Sequence, residues 1–247
     1  MRLVSLCPSM TETLFEIGAG ASVVGATKFC VEPRPMPGVV RVGGTKDPSV
    51  ERILALEPTL VFANREENRL EDVVALEAAR VTVHTSMPRR AEEVPALIRD
   101  VGGAVACERG AEVAAAAVER ALEAVRASAR GLEPCRFLVL VWRRPWIAAS
   151  ADTFLSNLLA EAGGVNVIEA SASRYPEVTA GEVASLAPDL IVLPDEPFPF
   201  AQKHVDELAA VTRANPARFL LCDGQLLTWH GSRTALGLRA SLRWITG

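Results

Sequence analysis

The sequence lacks long apolar runs and blocks of positive charge. No stretch of its 247 residues approaches the roughly eighteen uninterrupted apolar residues of a membrane-spanning helix. The formal net charge is -4, and no run of Lys or Arg is long enough to form a basic surface for nucleic acid. Met1 leads directly into RLVSL, which is typical of a first strand, so we expect no signal peptide. Membrane spans and polyanionic partners are therefore not expected.

Local cysteine, histidine and catalytic motifs are also missing. The five cysteines are odd in number and show no CxxC spacing, which favours free thiols over a disulfide framework. Three scattered histidines form neither HExxH nor His-x-His, so a zinc site built by local spacing is not expected, although ligands distant in sequence can still converge. The chain has no GxSxG, no P-loop and no dinucleotide-type GxGxxG, and we expect a protein that is not an enzyme.

A passage that occurs twice predicts the architecture. Residues 54–68 read LALEPTLVFANREEN, and residues 184–198 read ASLAPDLIVLPDEPF. In each copy a helical segment reaches a Pro, and an apolar run then enters a charged loop, which is the pattern of a helix leading into a buried parallel strand. We therefore expect an α/β fold with two similar lobes. Ligands bind outside the carboxyl ends of parallel strands, so facing lobes predict a ligand cleft between them.

The middle of the chain predicts one long helix. Residues 110–131, GAEVAAAAVERALEAVRASARG, are rich in Ala, Glu, Arg and Leu and lack Pro, which predicts a helix of about 20 to 25 residues. The expected domains are an N-terminal α/β lobe over 1–103, a connecting helix over 104–131 and a C-terminal α/β lobe over 132–247. Near the amino terminus, the segment after Pro8 predicts a helix with Ser9 or Thr11 as its cap.

Several longer segments resemble one family from end to end. SLCPSMTETLFEIGAGASVVGAT, GGTKDPSVERILALEPTLVFA, the long helix and RYPEVTAGEVASLAPDLIVL resemble the helical-backbone (class III) substrate-binding proteins of ABC importers. The likeness includes the vitamin B12-binding members, but siderophore and haem binders share the same motifs. It implies two Rossmann-like lobes with parallel sheets, joined by a single long backbone helix and with a ligand cleft between them. A continuous helix resists bending, so the resemblance also implies a largely preformed pocket.

The resemblance implies aromatic contacts to a corrinoid ligand. Matched by position, Phe29 and Tyr175 correspond to aromatic residues of the cobalamin binders. Thr45 and Asn64 stand where those proteins have two further aromatic residues. All four positions are expected to face the ligand, although Thr45 and Asn64 are not aromatic.

A cluster of Trp and Arg is a further candidate for ligand contact. Trp142 and Trp146 flank Arg143-Arg144-Pro145, just past a predicted strand. The indole rings either stack on a planar macrocycle or belong to the core. The guanidinium groups either bind carboxylate, phosphate or amide groups of a ligand or lie in solvent.

The remaining candidates lie in loops. Trp229 offers another aromatic face, and Glu196 lies in the second repeat loop, where carboxylates either hold a cation or are simply solvated. His230 offers an axial nitrogen to cobalt or iron, although a single loop His is more often not a ligand. Cys30 offers a thiolate beside Phe29 or is a bystander.

The resemblance also implies partners and a transport role. In the family an acidic residue on each lobe docks on the importer; Glu51 matches the first, and Glu182 lies one residue beyond the second, at Gly181. We expect a monomer that captures cobalamin or another corrinoid or metal chelate, such as an iron siderophore, with no catalytic cofactor, and delivers it to the permease and ATPase subunits. The family works outside the cytoplasm, whereas a chain without a signal peptide stays inside. The alternative is therefore a cytosolic chelate-binding protein or enzyme on the same fold.

Overall fold

The computed structural model describes residues 1–170, 173–212 and 218–247, and these form two units. The first, called the N-unit, comprises Met1–Pro88, Glu93–Val118 and His230–Arg233. The second, called the C-unit, comprises Arg89–Glu92, Glu119–Trp229 and Thr234–Gly247.

The N-unit alternates strands and helices around a parallel sheet. Its elements are β1 (Leu3–Ser5), α1 (Pro8–Glu16), β2 (Val23–Ala26), β3 (Val40–Arg41), α2 (Val50–Ala55), β4 (Leu60–Asn64), α3 (Leu70–Ala78), β5 (Val83–Ser86) and α4 (Val94–Ala104). The strand order is β3-β2-β1-β4-β5, and each neighbouring pair is parallel. One side of the sheet is closed by a cluster of buried side chains: Val4, Leu6, Val42, Ile53, Val61 and Leu76. All five strands therefore end at the same edge.

The long helix α5 (Glu108–Ala129) confirms the predicted connecting helix. Its 22 residues correspond to a length of about 33 Å. Its buried face consists mainly of small side chains, including Ala111, Ala115 and Val118 in the N-unit part. The helix is continuous across the point where the two units divide, between Val118 and Glu119.

The C-unit is built on a mixed sheet. Its elements are β6 (Cys135–Trp142), β7 (Trp146–Ala149), α6 (Phe154–Glu161), β8 (Gly164–Asn166), β9 (Glu177–Val178), α7 (Ala180–Leu186), β10 (Leu190–Pro194), α8 (Gln202–Val211), β11 (Arg218–Cys222), α9 (Gln225–Thr228) and α10 (Thr234–Thr246). The order is β11-β10-β6-β7-β9, with β8 also paired to β6. β6, β8, β10 and β11 are parallel, as expected, whereas β7 and β9 add antiparallel pairs. β7 escaped prediction because a four-residue apolar segment carries no clear period.

The repeated passage has the predicted structure in both units. α2 is followed by Glu57 and Pro58 before β4, and α7 is followed by Ala187 and Pro188 before β10. Glu57 has a φ of 46° and Ala187 a φ of 47°, so a left-handed residue reverses the chain before each Pro. Each copy therefore places its polar loop at the carboxyl edge of its own sheet.

The predicted cap of α1 is wrong. Cys7 occupies the N-cap position without a side-chain cap, and Pro8 opens the helix, where a missing N–H costs nothing. Ser9 and Thr11 lie inside the helix and are buried. The Thr11 hydroxyl donates to the carbonyl of Cys7 (3.2 Å) and to Cys30 Sγ (3.0 Å). Both hydroxyls are therefore directed into the N-unit rather than capping its first helix.

Candidate functional site

The loop after β4 in the N-unit is tied down by two asparagines. Asn64 Oδ1 accepts from the backbone of Glu66 (2.8 Å) and Glu67 (3.3 Å). Asn68 Oδ1 accepts from Asn64 N (2.8 Å), and Asn68 Nδ2 donates to the carbonyls of Leu6 (3.1 Å) and Thr45 (2.9 Å). Asn64 and Asn68 are both buried. Asn64, which was expected to face a ligand, therefore fixes the loop through its side chain.

His230 lies in the N-unit, although the preceding residue belongs to the C-unit. Gly231 has a φ of +90° and stands so close to Thr13 that a Cβ would collide with its hydroxyl, so only glycine fits here. Ser232 N donates to Thr13 Oγ1 (3.1 Å), and Arg233 forms a bidentate ion pair with Glu12 (2.8 and 2.5 Å). These contacts hold residues 230–233 against α1.

The imidazole of His230 is buried among polar groups of the N-unit. Its two ring nitrogens lie 3.3 and 3.4 Å from Ser9 Oγ, and Nε2 lies 3.4 Å from Ser86 Oγ. Burial lowers the pKa of His230 to about 4, so the ring is neutral at pH 7. A neutral imidazole offers a nitrogen lone pair to a metal.

Cys7 and Glu67 complete this polar group. Cys7 Sγ donates to Glu67 Oε1 (3.0 Å) and lies 3.1 Å from Ser9 Oγ. Burial, together with the charge of Glu67, raises the pKa of Cys7 well above its usual value, so the thiol keeps its proton. Among the described residues, Cys7, Glu67 and His230 form the one group of at least three potential metal ligands, with ligand atoms within 4.8 Å of one another.

Three other predicted residues of the N-unit differ in exposure. Phe29 follows β2, is 50% exposed and has Lys28 Nζ 5.1 Å from its ring centroid. Thr45 is half-buried. Cys30 is buried, with Thr11 and Thr27 hydroxyls on its sulfur, and burial raises its pKa. Without a metal ion, burial therefore disfavours the thiolate of Cys30, as it does that of Cys7.

In the C-unit, the two tryptophans have different environments. Trp142 ends β6, is 42% exposed and meets Phe198 edge-on at 5.5 Å between ring centroids. Trp146 is only 5% exposed and stacks on Phe200 at 6.1 Å. Trp146 therefore lies in the core of the C-unit, which was the alternative left open by the sequence, whereas Trp142 keeps a free face.

Arg143 is engaged within the C-unit. It forms a bidentate ion pair with Glu207 on α8, and its guanidinium lies 4.3 Å from the ring centroid of Trp146. Arg143 lowers the pKa of Glu207 by hydrogen bonding to its carboxylate. These contacts cover Trp146.

Glu196 and Trp229 are joined directly. Glu196 Oε1 accepts from Trp229 Nε1 (2.8 Å) and from Thr228 Oγ1 (2.9 Å). Gly224 lies against Glu196 so closely that a Cβ would meet its side chain and backbone. Burial raises the pKa of Glu196 despite these two hydrogen bonds. Sequence reasoning named both residues but missed their pairing, because 33 positions separate them.

Tyr175 and the predicted docking residues are accessible. Tyr175 precedes β9, is 38% exposed and has Arg174 6.0 Å from its ring centroid. Glu51 lies exposed in the first turn of α2. Glu182 is exposed on α7, but it also forms a capping box with Thr179.

None of the helices in the described part of the chain combines the length and the apolar character of a membrane span.

Comparisons with known proteins define the class. The chain belongs to the periplasmic binding protein family, whose model matches residues 3–215. Its two α/β units and single long helix are those of a class III substrate-binding protein of ABC importers, a class of binding proteins rather than enzymes.

The names of several similar proteins state the ligand that those proteins bind. The chain is 25% identical over 209 residues to a vitamin B12-binding protein of Yersinia pestis, covering 85% of this chain and 73% of the relative. Its fold matches the periplasmic vitamin B12 binding protein of Vibrio cholerae with a TM-score of 0.85 at 21% identity, covering 99% and 96% of the two chains. A periplasmic heme-binding protein from Roseiflexus sp. RS-1 matches with a TM-score of 0.83 at 26% identity, covering 99% and 97%.

Proposed function

We propose that the protein captures a corrinoid of the cobalamin type and delivers it to the permease and ATPase subunits of an ABC importer. The observation that carries this proposal is the exposed aromatic face of Trp142, placed at the carboxyl end of β6 in a chain that belongs to a binding-protein family. A solvent-facing indole offers a large rigid surface for a planar macrocycle at little entropic cost. Curated relatives named as vitamin B12-binding proteins support the same ligand class.

Two further exposed aromatic residues are candidates for contact with the ligand. Phe29 follows β2 of the N-unit, and Tyr175 precedes β9 of the C-unit. Each carries a cation beside its ring, Lys28 and Arg174 respectively. Corrinoids bear amide and phosphate groups around an apolar ring, so an aromatic face flanked by a cation matches both parts of such a ligand.

A haem or other iron chelate is the second candidate ligand. The similarity that favours it is the 26% identity to the Roseiflexus heme-binding protein over nearly the whole chain. Haem shares the flat ring but carries two carboxylates instead of amides, so the same aromatic and cationic groups suit it. The family match favours a transport role, outside the cytoplasmic membrane, over a cytosolic enzyme.

Glu51 and Glu182 are proposed as the docking residues for the importer. Both carboxylates are exposed at the start of short helices, α2 and α7, which occupy equivalent places in the two units. Exposed carboxylates pair with arginines at an interface without the cost of leaving a buried charge unpaired. In the C-unit, the role belongs to Glu182 because Gly181 has no side chain.

Calorimetric titration with cyanocobalamin, cobinamide and haemin tests the ligand. We expect cyanocobalamin to bind with a Kd of about 1 μM or lower, the range for a preformed site. If haemin binds while neither corrinoid gives heat or a thermal shift, the ligand is an iron chelate rather than a corrinoid. No binding of any of the three would remove the proposal.

Variants locate the contact surface. Trp142→Ala and Phe29→Ala should each weaken cyanocobalamin binding by about tenfold, because each removes one stacking face. Leu236→Ala in the C-unit and Leu70→Ala in the N-unit are matched controls, since both side chains are exposed and apolar. Melting temperatures of all four variants should stay close to that of the wild type. Equal losses of affinity in the controls would contradict the assignment of the aromatic residues.

A further inference from the structure

The polar cluster in the N-unit has the composition of a metal site. Cys7, Glu67 and His230 bring one sulfur, one carboxylate and one imidazole within 4.8 Å of one another. The geometry points to a binding site for a single borderline divalent metal ion, Zn²⁺ in the first place, with these three residues as protein ligands. None of the three ligands is an aromatic residue proposed to contact a chelate, and the site requires no chelate.

The donor set selects the class of ion. Mg²⁺ and Ca²⁺ prefer ligand sets made only of oxygen, whereas mixed sulfur, nitrogen and oxygen donors suit Zn²⁺ and Co²⁺. A thiolate and a carboxylate neutralise the charge of a divalent ion, and the imidazole adds none. A neutral assembly is what a buried position tolerates, because an unpaired charge there is costly.

Burial excludes a macrocyclic chelate as the occupant. Cys7 and His230 are both buried, so a flat ring cannot bring its central metal to about 2 Å from either donor atom. A bare ion needs no such clearance. Glu67 is half-buried and is therefore the most accessible of the three ligands.

The backbone holds the ligands in advance. Cys7 is fixed at the turn from β1 to α1, and Asn68 binds the carbonyl of the preceding residue, Leu6. Asn64 fixes the amide of Glu67, and the segment after His230 is tied to α1 through Ser232 and Arg233. Tetrahedral Zn²⁺ needs donor atoms about 3.5 Å apart, so side-chain rotations within this frame are sufficient.

Metal binding at these donors releases one proton. A neutral imidazole binds a metal through its lone pair without losing a proton. The Cys7 thiol gives its proton to solvent as the sulfur–metal bond replaces the hydrogen bond to Glu67. Ser9 Oγ lies 3.1 Å from the sulfur and 3.3 Å from His230 Nδ1, where its hydroxyl can donate to the thiolate. Ser9 is therefore a positioning residue for two ligands.

The test is a titration of the full-length protein, reduced and stripped of metal, with ZnCl₂ and with CoCl₂ in the absence of any chelate. We expect one Zn²⁺ per chain with a Kd of about 1 μM or lower, and a thiolate-to-cobalt charge-transfer absorption with Co²⁺. Cys7→Ser should abolish that absorption. Cys7→Ser, Glu67→Gln and His230→Gln should each raise the Kd for Zn²⁺ at least about tenfold.

Matched controls exist for each ligand. Cys30→Ser changes another buried cysteine of the N-unit, Glu66→Gln changes the neighbouring carboxylate, and His204→Gln changes another buried histidine. These variants should keep the wild-type Kd. If Cys7→Ser fails to fold, the half-buried Glu67→Gln decides. Absence of saturable Zn²⁺ binding, a cobalt absorption that survives Cys7→Ser, or equal losses in the controls would overturn the site. Because no chelate is present, the outcome is independent of the corrinoid titration.

Discussion

The loops after β4 and β10 occupy equivalent places in the two units, but their chemistry differs. In the N-unit, Asn64 and Asn68 close a network of amide hydrogen bonds beside Cys7 and His230. In the C-unit, the loop carries Glu196, which binds Trp229. Phe198 from the same loop packs against Trp142, Phe200 and His204. The carboxyl edge of the N-unit sheet therefore carries a cluster of polar side chains, called the polar edge, and that of the C-unit sheet carries a cluster of aromatic side chains, called the aromatic edge.

This difference shows what the repeat determines and what it leaves to individual side chains. The left-handed residue before Pro58 and Pro188 sets the direction of each strand, so both loops start at the carboxyl edge. Aligned strand by strand, Asn64 corresponds to Pro194 and Asn68 to Phe198. An amide pair can cap a loop with hydrogen bonds, whereas Pro and Phe can only pack. The two edges therefore need different partners.

Replacing Trp146 should have the largest effect, and it tests whether the aromatic edge divides into core and surface. Trp146 is buried against Phe200 and Arg143, so Trp146→Ala should lower the free energy of unfolding by about 3–5 kcal/mol. Trp142→Ala is the control, with an expected loss below about 1 kcal/mol, because Trp142 is 42% exposed whereas Trp146 is 5% exposed. Urea denaturation measures both. Similar losses for the two would show that Trp142 also belongs to the core.

The polar edge is tested by Asn68→Ala. This change leaves the amide of Asn64 and the carbonyls of Leu6 and Thr45 without the side chain that now binds them. We expect a loss of about 2–3 kcal/mol in the free energy of unfolding, since buried polar groups left unpaired are costly. Arg65→Ala in the same loop, where the side chain is exposed, should change stability by less than about 0.5 kcal/mol. A loss confined to the control level would mean that water replaces these hydrogen bonds.

The sequence predicted the fold well because its signals are local. Hydrophobic runs, the Pro after each helix and the Ala-rich segment of α5 act within one element, and the predicted elements were confirmed there. The antiparallel pairing of β6 with β7 in the C-unit was not predicted. The cap of α1 was assigned to Ser9 or Thr11, whereas Cys7 is the N-cap residue and Pro8 is the first residue of the helix. Local patterns cannot report which neighbour a side chain will find.

The candidate site depended on contacts between distant residues. Trp142 and Trp146 lie four positions apart, and the sequence gives no sign of which one is buried. In the structure Trp146 is buried against Phe200, whereas Trp142 is 42% exposed. The cluster of Cys7, Glu67 and His230 spans 223 positions, from residue 7 to residue 230, so spacing rules for metal motifs could not find it. Asn64 was expected to face a ligand, and the structure gives it a role in fixing the loop. Ligand contact by the predicted residues stays a prediction.

Glu196→Gln tests the charge on the aromatic edge. Burial raises the pKa of Glu196 in the folded protein above its unfolded value, so the folded state holds its proton more tightly. The stabilising contribution of this proton is complete below the unfolded pKa, near 4.5, and is lost as pH rises through the raised folded pKa. The wild type should therefore lose stability relative to Glu196→Gln over that window. Thermal melts of both proteins from pH 4 to pH 8 measure the difference, and a pH-independent difference would contradict it.

Glu182→Gln should have the smallest effect and the opposite sign. Hydrogen bonds from Thr179 lower the pKa of Glu182 in the folded protein, so its contribution is present above pH 4.5 and disappears as pH falls through the lowered value. The variant should melt slightly below the wild type at pH 7, and the gap should close in acid, because a protonated carboxyl and an amide cap the helix alike. Glu51→Gln, which has no such partner in the described capping contacts of α2, is the control for charge alone. If Glu182→Gln melts like Glu51→Gln at every pH, the capping box contributes nothing, and the carboxylate is left with the docking role alone.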